Sequence, residues 1–225
     1  MSYVPIPLPD CLRMSEEQTE IAAFNYLKYM RKCHSVREFS CEPILNSVLV
    51  NAVSFAASAT SGANQQSWHF VVVKDKDMKA QIRKVAEHEE RKFYSDAAGD
   101  EWISALEPIG PGSNKKYLTD EPAFTVVFAQ RYGLASDGSR YKHHYVNESV
   151  GIAVGFLISA LHHSGLVCLE HTPNPMKFLN RPCNRPNNEK PVMIIPVGYP
   201  REKAEIPKAA KIKNKFQKFY QFINN

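Results

Sequence analysis

The sequence predicts a single three-layer domain of the α/β or α+β class, built from a sheet and the helices packed on it. Four short runs rich in β-branched and aromatic residues are typical of buried strands, and they read WHFVVVK, AFTVVFAQ, LVCLE and VMIIPVGY. The segments between them carry apolar residues at helical spacing. With 225 residues, of which 44% are hydrophobic and 23% charged, the chain is long enough to bury one core.

Helices are predicted over residues 15–32, 44–57, 78–94 and 147–163. The first begins with a capping box, because Ser15 is followed three residues later by Gln18. The last is apolar nearly all round and carries small residues at Gly151, Ala153 and Gly155, which favours burial across a subunit interface. No internal repeat is visible, so we expect residues 1–225 to form one domain.

Three segments lie outside this regular pattern. Residues 1–14 are expected to form an N-terminal arm, and residues from about 200 to 225 a C-terminal arm. The segment ALEPIGPGSN holds two prolines and two glycines, which are common in loops that close over a ligand. We therefore expect an active-site lid over about residues 95–116.

Charge and composition exclude several classes of function. The net charge of +5 is modest, and five lysines between Lys208 and Lys218 come without a nucleic-acid-binding motif, so we expect no nucleic-acid partner. The longest apolar stretch has eleven residues, too few to cross a bilayer. The five cysteines form no CxxC or Cys/His cluster, so we expect reduced thiols, no metal site and a cytoplasmic location.

Three polar residues form the most informative pattern. Glu90 and Tyr94 lie four residues apart and share one face of the third helix, and Lys115 follows beyond the Gly/Pro-rich break. A carboxylate, a phenol and an ammonium group that converge can pair with both charges of an amino-acid zwitterion. On spacing alone, a solvated helix face with a surface lysine remains the alternative.

Longer motifs add a resemblance. CHSVREFS, TSGANQQSWHFVVV, NESVGIAVGFLISALHHSGL and PVGYP resemble, in this order, the nitroreductase superfamily of FMN proteins. Glu90, Tyr94, the KKYL that begins at Lys115 and a later HTP resemble its iodotyrosine deiodinase branch. The resemblance covers residues 20 to 215. It implies an α+β, three-layer α/β/α sandwich with a central mixed sheet flanked by helices, and a domain-swapped homodimer with extended terminal arms and FMN at its interface.

The resemblance also implies cofactor-binding residues. Ser35 is expected at the FMN phosphate, with His34 beside it as an accepted variant of the motif. Arg37 is expected at the electron-rich N1/O2 edge of the flavin, where a positive charge favours the reduced anion. Cys33 departs from the pattern, because the family has an arginine there. Two alternatives stay open: Arg31 or Lys32 compensates, or the phosphate is bound more weakly.

Further flavin contacts are implied along the chain. Ser61 and Gly62 resemble the loop that runs beside the flavin ring and the ribityl chain. Thr172 resembles the threonine that bonds flavin N5, a contact that favours one-electron chemistry, and it is the residue we assign to catalysis. Lys211 falls where the family has a phosphate-binding arginine, with Lys213 as the alternative.

The implied reaction is reductive dehalogenation of halotyrosines, from 3-iodotyrosine to tyrosine and iodide. Glu90 is expected to hold the substrate ammonium, Tyr94 and Lys115 its carboxylate, and the amide of Ala63 its phenolate. The electron source is an unidentified reductase or NAD(P)H. Two alternatives stay open: a general FMN nitroreductase or quinone reductase that transfers hydride, and a flavin-binding protein without turnover. The sequence does not distinguish iodo-, bromo- and chlorotyrosine.

Overall fold

The computed structural model describes residues 3–8, 13–96, 99–110, 114–213, 219, 221 and 223. The chain divides into two compact units, Met1–Cys33 and His34–Asn225. Parts of the predicted lid and of both predicted arms lie outside the described residues. The expectation of one domain over residues 1–225 stays a prediction.

The first unit contains one helix, α1, which spans Glu16–Met30. Its predicted capping box is present, because the Ser15 amide donates to Gln18 Oε1 at 3.0 Å and the Gln18 amide donates to Ser15 Oγ at 3.3 Å. No residue of α1 is buried, and the apolar side chains of Ile21 and Phe24 are exposed. Local capping, rather than burial in this chain, therefore accounts for where the helix begins.

The second unit contains five further helices and six strands in its described part. The helices are α2 (Asn46–Ala57), α3 (Lys76–Asp96), α4 (Asp100–Leu106), α5 (Tyr117–Asp120) and α6 (Val146–His163). The strands are β1 (Trp68–Val73), β2 (Ala123–Gln130), β3 (Tyr132–Leu134), β4 (Arg140–Lys142), β5 (Val167–Cys168) and β6 (Glu189–Gly198). The predicted bounds of α2, α3 and α6 agree with the structure to within two residues. Helices α4 and α5 and the β3–β4 hairpin were not predicted.

The main sheet has the strand order β1-β2-β6-β5, and all of these neighbours pair antiparallel. The register places Phe70 opposite Val127 and Val126 opposite Ile194. Among the described residues, parallel pairing is limited to an isolated bridge between Ser35 and Cys168. The structure therefore decides between the two predicted classes in favour of α+β, and the mixed character of the sheet is confined to that bridge.

Strand β2 separates two apolar cores. Ala123 and Val127 belong to the core shared with α2 and α6, whereas Phe124, Val126 and Phe128 belong to the core shared with α3 and α5. Because successive side chains of a strand point to opposite faces, this alternation puts one helical layer on each side of the sheet. The predicted three-layer arrangement is confirmed, and α3 lies on the face that carries the candidate site.

Candidate active site

A cavity of about 610 Å³ opens beside the C-terminal half of α3. This volume is in the range of small-molecule sites. Leu106, Ile109 and Gly110, from the predicted lid, contribute to its wall. Five of the predicted site residues line the cavity: Arg37, Glu90, Tyr94, Lys115 and Thr172.

Glu90 and Lys115 form an ion pair in this wall. Lys115 Nζ lies 2.8 Å from Glu90 Oε1, and the two side chains are 8% and 14% exposed. The second carboxylate oxygen, Glu90 Oε2, is buried and has no hydrogen-bond partner among the described residues. The predicted convergence of these residues is therefore observed, with their opposite charges paired to each other.

Tyr94 lies one turn after Glu90 on the same face of α3 and also lines the cavity. Burial, together with the nearby Glu90 carboxylate, raises the pKa of the Tyr94 phenol above its ordinary value. The phenol therefore keeps its proton at neutral pH and remains a hydrogen-bond donor. The solvated helix face considered from the sequence is excluded for these two residues, because both are partly buried.

Arg37 provides a second cation on the cavity wall. Its side chain is partly buried, and no hydrogen bond or ion pair reaches its guanidinium from the described residues. A guanidinium in this setting attracts anions and electron-rich atoms. Its charge also acts on Tyr117 and His171 nearby.

Tyr117 and His171 form a neutral pair that sequence reasoning missed. The Tyr117 hydroxyl lies 3.2 Å from His171 Nδ1, and the rings meet edge to face. Burial, then the Lys115 and Arg37 cations, lower the pKa of His171 to about 3, so the imidazole is neutral. Burial, then the Glu90 charge, raise the pKa of Tyr117. Both residues lie next to predicted ones, since Tyr117 belongs to KKYL and His171 to HTP.

Ser35 contacts the cavity wall through Glu170, which sequence reasoning also missed. The Ser35 hydroxyl donates to Glu170 Oε2 at 2.8 Å, and Glu170 lines the cavity. The backbone bridge from Ser35 to Cys168 holds the two segments side by side. His34, which is partly buried, is not part of the cavity wall.

The loop with Ser61, Gly62 and Ala63 lies outside the wall of this cavity. Ser61 Oγ accepts a hydrogen bond from the Gln66 amide, and the Gly62 amide donates to Ser149 Oγ. A Cβ at position 62 would lie 2.7 Å from the carbonyl oxygen of residue 144, so only glycine fits. Ala63 has a φ of 51°, a left-handed conformation that costs energy in a non-glycine residue and is frequent at functional sites.

Thr172 lines two cavities. Besides the first, it borders a second cavity of about 520 Å³, together with Pro173 and Asn174. Lys211, at the end of the 3₁₀ helix Lys208–Lys211, is exposed and lines neither cavity. In one chain, the described structure thus brings together Arg37 and Thr172, expected at the flavin ring, with the substrate residues Glu90, Tyr94 and Lys115. The loop over residues 61–63 and Lys211 lie outside this cavity.

The described part of the chain lacks two features. It contains no group of three His, Cys, Asp or Glu side chains that could hold a metal ion. None of its helices is both long and apolar enough to cross a membrane.

Comparison with known proteins defines the class. The profile described as Nitroreductase family matches residues 30–199. A nitroreductase from Bacteroides fragilis, crystallised with bound FMN, superimposes with a TM-score of 0.66 over 88% of this chain and 98% of its own, and its 15% identity shows the fold alone. The chain belongs to the nitroreductase family.

Relatives with higher sequence identity to this chain share one name within the family. The iodotyrosine deiodinase of Haliscomenobacter hydrossis is 46% identical over 182 residues, which cover 81% of this chain and 82% of that protein. The Nematostella vectensis protein of the same name is 36% identical over 92% of this chain and 78% of its own. A crystal structure of iodotyrosine deiodinase bound to FMN and 3-iodo-L-tyrosine superimposes with a TM-score of 0.72, at 29% identity, over 88% of this chain and 99% of its own. The resemblance to this branch, predicted from the sequence, is confirmed.

Proposed function

We propose that this protein is an FMN-dependent oxidoreductase that removes halide from halotyrosines and converts 3-iodotyrosine to tyrosine and iodide. The observation that carries the proposal is the Glu90–Lys115 ion pair beside Tyr94, inside a cavity that Arg37 and Thr172 also line. A carboxylate, an ammonium group and a phenol match the two charges of an amino acid. The names of the relatives and the ligands of the solved structure support the same substrate class.

The cavity residues fit FMN. The unpaired guanidinium of Arg37 suits the electron-rich edge of a flavin, and the exposed Thr172 can donate a hydrogen bond to N5. Bound FMN supplies the electrons of the reaction. Ser35 has to turn its hydroxyl away from Glu170 before it can donate to the phosphate.

The amino-acid part of the substrate enters between Glu90 and Lys115. Its ammonium group takes the place of Lys115 at the carboxylate of Glu90, whose Oε2 has no other described partner. Its carboxylate accepts hydrogen bonds from Lys115 and from the protonated phenol of Tyr94. The apolar lid residues Leu106 and Ile109 then exclude water from the ligand.

The site requires two copies of the chain in this proposal. Ala63, expected at the substrate phenolate, does not line the cavity of its own chain, and we assign this contact to Ala63 of the partner subunit. Exposed apolar residues on two helices support a homodimer. Phe55 of α2 is 46% exposed and stacks on Phe156 of α6 at 5.1 Å between ring centroids, and Ile152 of α6 is 43% exposed. The domain-swapped arms, the electron source (a reductase or NAD(P)H) and the cytoplasmic location stay predictions.

The test is an anaerobic reaction of the purified holoprotein. Its flavin is reduced with dithionite, 3-iodotyrosine is added, and the visible spectrum and the released iodide are recorded. Replacement of iodine by hydrogen takes two electrons and one proton and releases iodide, so reoxidation of the flavin and iodide release should proceed together. The variant Glu90→Gln should lose this reaction and keep any reduction of a nitroaromatic compound.

Other outcomes identify the alternatives. A reduced flavin that is indifferent to 3-iodotyrosine and reoxidised by a nitroaromatic compound would make the protein a general nitroreductase. Equal loss or equal survival of both activities in Glu90→Gln would contradict the assigned role of Glu90. A purified protein without flavin would overturn the proposal. Cys33, which replaces the arginine expected at the FMN phosphate, would then be the residue to which we attribute the loss of flavin binding.

A further inference from the structure

Two residues of α3 hold the segment that carries Lys115. Glu87 Oε1 accepts a hydrogen bond from the Lys115 amide at 2.8 Å and another from Arg83 Nε at 2.8 Å. The two other guanidinium nitrogens of Arg83 donate to Thr119 Oγ1 at 2.7 Å and to Asn114 Oδ1 at 2.9 Å. Arg83 and Glu87, here called the brace, thus bind this segment on both sides of Lys115.

The brace acts on the backbone, whereas Glu90 acts on the side chain. Arg83, Glu87 and Glu90 follow one another at helical spacings of four and three residues, so they lie on one face of α3. Glu87 fixes the amide of Lys115, and Glu90 then receives its ammonium group at 2.8 Å. The position of the cation is therefore set by contacts that need no ligand.

The groups around Glu87 keep its carboxyl group ionised. Burial alone would raise the pKa of Glu87, but the hydrogen bonds from Arg83 and the Lys115 amide, with the charges of Arg83 and Arg91, lower it below its ordinary value. Glu87 is therefore ionised at neutral pH. Its carboxylate accepts hydrogen bonds from both the Lys115 amide and the Arg83 guanidinium. These hydrogen bonds are stronger than those that a neutral acceptor would make.

We propose that Arg83 and Glu87 are positioning residues that hold Lys115 in place before the substrate arrives, and that they thereby set selectivity for halogenated amino acids over halogenated phenols. The inference rests on the proposed function and deepens it. A positioned cation loses less conformational freedom on binding than a mobile one, so the brace should favour ligands that carry a carboxylate. A ligand without the amino-acid part should not depend on it.

The experiment titrates the oxidised holoprotein with two ligands and follows the flavin absorbance. The ligands are 3-iodotyrosine and 2-iodophenol, which lacks the zwitterion. In Glu87→Ala we expect the Kd of 3-iodotyrosine to rise by about tenfold, the size of one lost hydrogen bond to a charged group, and the Kd of 2-iodophenol to stay within about twofold. Glu87→Gln, which keeps an acceptor for the Lys115 amide, should restore part of the loss.

A matched control variant, and the same substitution made in a protein that lacks Lys115, distinguish positioning of Lys115 from a general loss of structure. Glu89→Gln, two residues along the same helix, removes a carboxylate with no described partner and should change neither Kd. In Lys115→Met, where there is no cation left to position, Glu87→Ala should cause no further loss of 3-iodotyrosine affinity. Arg83→Met should reproduce the ligand-selective loss of Glu87→Ala.

The outcomes are distinct. Equal weakening of both ligands in Glu87→Ala, or full additivity with Lys115→Met, would assign the brace a purely structural role and overturn the inference. A wild-type protein that binds 3-iodotyrosine no better than 2-iodophenol would remove the proposed function and the inference with it. Wild-type selectivity that persists in all the brace variants would overturn the inference alone.

Discussion

Helix α3 takes part in two lysine–glutamate pairs, and both join it to residues 115–121, which lead into β2. Near the start of the helix, Lys79 Nζ donates to the backbone oxygen of Glu121 and lies 3.5 Å from Glu121 Oε1, with side chains 5% and 0% exposed. About three turns later, Glu90 pairs with Lys115 at 2.8 Å. Glu121 lies in the core, whereas Glu90 and Lys115 line the cavity.

The difference lies in what else can reach the carboxylate. Neither carboxylate oxygen of Glu121 has a hydrogen-bond partner among the described residues, and burial, opposed by Lys79, raises the pKa of this carboxyl group to about 8. The Glu90 pair sits at a wall from which a ligand can supply new partners. The same two residue types therefore make a structural contact where they are sealed and a binding site where they meet a cavity.

Breaking the sealed pair should have the largest effect. In Lys79→Met, the buried backbone oxygen of Glu121 loses its hydrogen-bond donor and the Glu121 carboxyl loses its cation, so we expect the free energy of unfolding at pH 8 to fall by about 3 kcal/mol. Urea denaturation of the holoprotein measures this, with the exposed Lys84→Met on the same helix as the control. A loss no larger than that of Lys84→Met would show that the buried contact contributes little.

Breaking the cavity pair should affect binding more than folding. In Lys115→Met, Glu90 can be hydrated through the cavity, so we expect at most about 1 kcal/mol less stability but about thirtyfold weaker binding of 3-iodotyrosine, or about 2 kcal/mol. Urea denaturation and flavin-monitored titration report the two quantities. If the stability losses of Lys115→Met and Lys79→Met were equal, the contrast between the pairs would be wrong.

The pH dependence of stability should separate the pairs as well. Because the pKa of Glu121 is about 8 in the folded chain and near 4.5 when unfolded, the folded state retains this proton over that interval and the unfolded state does not. This group's contribution to the unfolding free energy therefore falls as pH rises from about 5 to 8. Glu121→Gln should remove the fall and gain about 1 kcal/mol or more at pH 8.5 relative to wild type. Parallel pH profiles for the two proteins would contradict this.

Removing a neutral member of the site should have the smallest effect. Tyr94→Phe deletes one hydroxyl from the cavity wall without leaving a charge unpaired, so we expect the affinity for 3-iodotyrosine to fall by about threefold to fivefold, or up to about 1 kcal/mol. Binding of 2-iodophenol should be unchanged in the same titration. An effect as large as that of Lys115→Met would mean that Tyr94 carries more of the carboxylate contact than we assign to it.

Local pattern predicted much of the fold and part of the site. The β-branched run of β2 and the capping box at Ser15 are short-range signals, and both appear where expected. The spacing of Glu90 and Tyr94 likewise predicted a shared helix face. The β3–β4 hairpin was not predicted, because its strands have three residues each, too few for an alternating pattern to be visible.

The contacts that were missed join distant parts of the chain. Ser35 and Glu170 are 135 residues apart, and nothing in the sequence near either one indicates the other. Arg83 and Glu87 did carry a signal, since an Arg/Glu pair four residues apart precedes Glu90 on the same face. What the sequence could not supply is the position of Lys115 on that face, because it depends on the packing of a separate segment.

The ion pair between Glu90 and Lys115 also affects which small ions can bind in the cavity. A simple anion that approaches Lys115 must detach it from Glu90 and leave that carboxylate alone, and a simple cation faces the reverse cost. A zwitterion replaces both halves of the pair in one event. The resting protein should therefore be insensitive to simple ions such as chloride, potassium and ammonium, and remain available to an amino acid.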